Sequence, residues 1–69
     1  MIKEFTIEQK LFIRSITYRS DMSRVALIRR LIKTKNFYDK EMQLIIKDAV
    51  EKLCMMKDSE YMDYDFNSN

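Results

Sequence analysis

The stretch DYDFNSN, residues 63–69, sets oxygen-bearing side chains at alternate positions: Asp63, Asp65 and Asn67. Calcium-binding EF loops open with that spacing, because a hard cation collects several carboxylate and carbonyl oxygens from one tight loop. The match then fails. Ser68 stands at the sixth position, where the loop's sharp turn takes Gly, and no bidentate Glu follows. Zinc is excluded more simply, since one Cys and no His cannot make a Cys/His cluster.

Catalysis finds no better footing. Without His there is no imidazole base, and without Gly there is neither a phosphate-cradling loop nor a tight oxyanion turn. The internal carboxylates Asp39, Glu41, Asp48 and Glu51 alternate with Lys40, Lys47 and Lys52 and read as a solvated helix face. The chain is expected to be no enzyme and to need no cofactor and no metal.

Recognition chemistry is better supplied. Residues 10–35 carry eight cations (Lys10, Arg14, Arg19, Arg24, Arg29, Arg30, Lys33, Lys35) against Asp21, a net +7 in a chain whose total is only +2. Residues 58–69 carry Asp58, Glu60, Asp63 and Asp65 and no cation, net −4, with Tyr61, Tyr64 and Phe66 interleaved. Acids steer an encounter with a basic surface, while rings supply buried area at its centre. Two candidate partner-binding sets follow: Arg24, Arg29, Arg30 and Lys33, with Arg14 and Arg19 as neighbours; and Tyr61, Asp63, Tyr64, Asp65 and Phe66. The partner of the acidic segment could also be internal: Arg29, Arg30 and Lys33 of its own chain or of a dimer mate.

These residues must be positioned by helices. Gly and Pro are both absent, so Gly-dependent hairpins are not available and an all-α fold is expected. Thr6 and Gln9 make a capping box before a helix over about 7–19, its apolar face carried by Ile7, Leu11 and Tyr18 and widened by Phe12 and Ile16. Ser20 or Asp21 caps a second helix over about 22–35. Its apolar arc centres on Val25, Ile28 and Ile32 and extends to Leu27 and Leu31. KNFYDKE, residues 35–41, offers Asn36 as a left-handed helix end and Asp39 as a cap, which favours a break over one rod from 22 to 56. Met42, Ile46, Ala49, Leu53 and Met56 then step by four, three, four and three, a heptad seam. Asp48 and Lys52 are an i,i+4 pair expected on the outside of that helix, and Cys54 is expected to be a small buried hydrophobe.

The division is therefore a helical domain, residues 1–57, and an acidic-aromatic tail, residues 58–69, outside the seam and frayed or extended. Met55 and Met62 share a face only if the helix runs on past Lys57. Deleting the tail should leave helicity nearly intact and weaken partner binding. Two or three short helices make a hairpin or small bundle. At this size the chain buries only about 60% of its unfolded surface, so completion by a partner or by homodimerisation is expected.

Residues 5–15, FTIEQKLFIRS, resemble the start of the small helical phycobilisome-degradation adaptors (NblA-type), through Thr6, Glu8, Gln9, Ile13, Arg14 and Ser15. The resemblance implies a helix-turn-helix homodimer that bridges antenna proteins to a Clp protease, and it covers about 11 of 69 residues.

The residues together point to a non-catalytic module that binds a larger intracellular protein as inhibitor, modulator or adaptor, of the kind phages and mobile elements encode. A regulator that binds nucleic acid through the basic first and second helices is the alternative, and an NblA-type adaptor a further one. The longest stretch without a charge, Met42–Ile46, is too short to span a membrane. With a lone Cys, this suggests a soluble cytoplasmic protein with no membrane partner.

Overall fold

The computed structural model describes residues 4–17 and 22–66. They form four helices: α1 (Ile7–Ile16), α2 (Arg24–Lys35), α3 (Lys40–Met55) and α4 (Asp58–Asp63). There is no strand among the described residues, so the fold is all-α.

Local chemistry sets the helix starts. Thr6 caps α1 in a capping box: its Oγ1 accepts from the Gln9 N–H at 3.1 Å, and Gln9 Oε1 accepts from the Thr6 N–H at 3.0 Å. Ser23 caps α2, accepting from the Ala26 N–H at 3.2 Å, so α2 begins two residues later than the apolar pattern implied. The proposed caps Ser20 and Asp21 lie outside the described residues, as do Tyr18 and Arg19. Asp39 caps α3, accepting from the Met42 N–H at 2.9 Å. The break at 36–39 is therefore real. Asn36 ends α2 in the right-handed region, at φ −67° and ψ −13°, and not in a left-handed turn. α1 stops at Ile16, three residues short of the expected end.

α2 and α3 form an antiparallel hairpin, the closest helix pair in the molecule. α1 lies across α3 and also runs opposite to it. Phe5 meets Lys52, Gln9 meets Asp48 and the Ile45 carbonyl, and Phe12 packs edge-on against Tyr38 at 5.3 Å between centroids. The backbones of α1 and α2 approach each other less closely than either approaches α3, and Ile13 of α1 shares the core with Leu27 and Leu31 of α2.

The core is Phe5, Ile13, Leu27, Leu31, Ile46, Ala49, Leu53 and Met56. The α3 seam is where the heptad spacing puts it. The phases of α1 and α2 differ from expectation. On α1 the buried residues are Gln9, Lys10 and Ile13, with Phe5 buried just before the helix, while Ile7 and Leu11 are exposed. On α2, Leu27 and Leu31 are completely buried, Ile28 is partly buried, and Val25 and Ile32 are 49% and 53% exposed. Half of α2's circumference is apolar, and the hairpin takes the side presented by Leu27 and Leu31. Cys54 is an exposed free thiol rather than a core side chain.

Residues 58–66 do not fray. α3 ends at Met55, and Met56 and Lys57 are extended at ψ 149° and 158°. Glu60 Oε1 then accepts from the Lys57 N–H at 2.8 Å and starts α4; Lys57 has no acceptor to return the bond, so only half a capping box forms. The break puts Met55 and Met62 on separate helices, both exposed.

Candidate functional site

The predicted residues divide into two groups with different fates. The rings of the acidic segment are used inside the molecule. Tyr61, Tyr64 and Phe66 are partly buried and pack on the core around Phe5. Ring centroids lie 5.2 Å apart for Phe5–Tyr64, 5.3 Å for Phe5–Phe66, 4.6 Å for Tyr64–Phe66 and 5.9 Å for Tyr61–Phe66. These are the edge-on and tilted arrangements that ring quadrupoles favour. The phenols are anchored as well. Tyr64 Oη accepts from the Phe5 N–H at 3.2 Å, and Tyr61 Oη donates to the Met22 carbonyl at 2.7 Å. Lys10 Nζ lies 5.8 Å from the Tyr64 ring centre, within cation–π range. The segment thus closes the C-terminal part of the chain over its N-terminal part. Asp63 and Asp65 remain on its exposed side.

Arg24 belongs to the same closure. Its Nε donates to Asp58 Oδ1 at 2.8 Å, and its Nη1 donates to the Leu53 carbonyl at 3.0 Å. That carbonyl lies in the last turn of α3 and also accepts from the Met56 N–H at 3.2 Å. Arg24 is therefore pinned and not free for a partner. The acidic segment reaches its own chain's cations, as one expectation had it, but it meets Arg24 and not Arg29, Arg30 or Lys33.

The other cations stay outside. Arg29, Arg30 and Lys33 have no ion pair among the described residues, and Arg29, Arg30 and Lys33 are exposed. At about 100° per residue, Val25 and Ile32 lie about 20° apart on α2, with Ile28 flanking them. Arg29 and Lys33 form the adjoining row, and Arg30 sits further round. α2 thus shows solvent an apolar row beside a basic one. Arg14, half-buried on α1, does not extend it, and Arg19 lies outside the described residues.

One cluster escaped sequence reasoning. Gln9 and Lys52 are both buried, Lys52 at 9% exposure. Lys52 Nζ donates to Gln9 Oε1 at 2.8 Å and to Asp48 Oδ2 at 2.9 Å. Gln9 Nε2 donates to Asp48 Oδ2 at 2.8 Å and to the Ile45 carbonyl at 3.1 Å. The Asp48–Lys52 pair faces α1 instead of lying on the outside. Gln9 uses both of its oxygen's lone pairs and both of its amide hydrogens, so nothing remains for a ligand. The partial signal was a Gln spaced four residues from both Phe5 and Ile13; the Asp–Lys pair it meets is brought there only by the packing of α1 on α3. The cluster is a fastener between helices.

Among the described residues, no group of three or more His, Cys, Asp or Glu could hold a metal ion. No helix there is long and apolar enough to cross a membrane. No protein-family model, no curated protein and no solved structure matches the chain.

Proposed function

We propose that this protein is a non-catalytic protein-binding module whose docking surface is the outward face of α2. The observation that carries this reading is the exposed apolar row of Val25 and Ile32 lying beside Arg29 and Lys33, which have no ion pair among the described residues. β-branched side chains half open to water lose solvent contact when a partner covers them, and neighbouring cations orient that partner. An inhibitor, modulator or adaptor of a larger intracellular protein fits such a surface. The Tyr61, Tyr64 and Phe66 rings have an internal partner, which leaves Asp63 and Asp65 as the acidic segment's outward contribution.

The test is site-specific photocrosslinking in extract of the source cell. A photoreactive residue placed at Ile32 should give an adduct with a larger protein. The same residue at Leu44, exposed on α3, should give far less. Crosslinking from position 32 to nucleic acid alone would replace this reading with the nucleic-acid alternative.

A further inference from the structure

We propose that the occupant of the α2 face is an acidic amphipathic helix supplied by the partner protein. This rests on the reading of α2 as a docking surface and names the chemistry of what docks.

Charge gives the first argument. Residues 22–38 contain Arg24, Arg29, Arg30, Lys33 and Lys35 and no Asp or Glu. Arg24 is answered within the molecule by Asp58. The positive charge of Arg29, Arg30 and Lys33 is not answered by any ion pair among the described residues. A partner that brings carboxylates to this row gains attraction on approach and exchanges no existing pair for it.

Shape gives the second. The apolar row runs from Val25 to Ile32, about 10 Å along the helix. It is a narrow stripe on a convex rod, with cations along one edge. A second helix matches it: apolar residues at i, i+4 and i+7 lie along the stripe, and acids on one flank meet Arg29 and Lys33. Two to three turns suffice.

Other occupants fit less well. A second copy paired antiparallel, α2 against α2, would bring Arg29 and Lys33 of both chains together, a like-charge contact. A nucleic-acid backbone would meet Val25 and Ile32 where it needs cations. Arg30, about 100° round the helix from Arg29, also does not converge with Arg29 and Lys33 on one phosphate track.

The experiment is fluorescence anisotropy on the full chain. One probe is a synthetic amphipathic helix with leucines at i, i+4 and i+7 flanked by glutamates. Its twin has lysines in place of the glutamates. The glutamate helix should bind at least about tenfold more tightly than the lysine twin, in keeping with the cost of like-charge contacts at an interface. The double substitution Arg29→Glu with Lys33→Glu should reverse that preference. Ile32→Ser should weaken the glutamate helix about tenfold while the chain stays folded with only a small shift of its thermal midpoint, as expected for a centrally placed contact that is not core. Equal binding of the two helices, or no binding of the glutamate helix, overturns the proposal. So does preferential binding of short duplex DNA or of phosphatidylcholine vesicles containing phosphatidylserine. A protein adduct from position 32 combined with no binding of the glutamate helix would defeat this inference alone. Nucleic acid as the sole adduct would defeat the docking reading with it.

Discussion

Gln9 shows how one side chain can serve two levels of structure. Its Oε1 accepts from the Thr6 N–H, which starts α1, and from Lys52 Nζ, which ties α1 to α3. Its Nε2 completes the tie at Asp48 and the Ile45 carbonyl. The capping half of this role was legible in the sequence, because Thr6 and Gln9 have the spacing a capping box requires. The fastening half was not, because it depends on where α3 lies. That mattered for the phase of α1: a polar residue at position 9 argues for solvent on the basis of type alone, so Ile7 and Leu11 looked like the core face. The network instead turns Gln9 inward and leaves those two exposed. Gln9→Ala would strip the buried ammonium of Lys52 of one acceptor and leave the Ile45 carbonyl without its side-chain donor. We expect it to cost about 1–3 kcal/mol in denaturant unfolding, the usual penalty for a buried polar group left unmatched. Gln9→Glu should not rescue it. It removes both amide donors and sets a carboxylate against Asp48, so a stability equal to the natural chain's would contradict the network.

At the scale of elements, α2 poses a choice that periodicity alone does not resolve. Its apolar residues cover about half the circumference, so several phases bury a comparable area. α3 had less freedom: of its seam, Ile46, Ala49, Leu53 and Met56 are buried and Met42 is partly buried. The hairpin sets that seam against Leu27 and Leu31, and Val25 and Ile32 are left for the outer face. The two faces should respond very differently to substitution. Leu27→Ala or Leu31→Ala should cost about 2–5 kcal/mol, since each empties a completely enclosed volume. Val25→Ser and Ile32→Ser should change stability by no more than about 0.5–1 kcal/mol, because their side chains already meet water. Equal losses from both pairs in urea unfolding would mean that α2 is turned the other way. Asp39→Ala should cost about 1 kcal/mol through the lost bond to the Met42 N–H. That cap is what keeps α2 and α3 from merging into one rod, a possibility the sequence at 36–39 left open for want of any Pro or Gly.

For the molecule as a whole, the acidic-aromatic segment is the clearest case of residues whose kind was legible and whose partner was not. Tyr61, Tyr64 and Phe66 stand out as anchors from their type. Their target, Phe5, lies about sixty residues away, and only the tertiary fold brings it near. With residues 58–66 in place, Phe5 is buried, and the Arg24–Asp58 pair and the Tyr61–Met22 bond hold the segment down on its other side. The ion pair alone is worth little, since Asp58 is mostly exposed and screened by water. The rings must therefore dominate. In a core of eight buried hydrophobic residues, loss of the cover over Phe5, the only aromatic among them, cannot be neutral. This changes what truncation should do: removing 58–69 is expected to lower the unfolding midpoint substantially instead of leaving the helices untouched. Two finer substitutions separate the contributions. Tyr64→Phe keeps the ring and removes the acceptor for the Phe5 N–H, so it should cost about 1 kcal/mol and speed hydrogen exchange at that one amide. Phe66→Ala removes a ring that touches three others and should cost about 1–3 kcal/mol, with upfield-shifted signals of Phe5 and Tyr64 moving toward random-coil positions in the proton spectrum. If Phe66→Ala leaves both stability and those shifts unchanged, the segment is not closed over Phe5 in solution, and its rings are available to a partner after all.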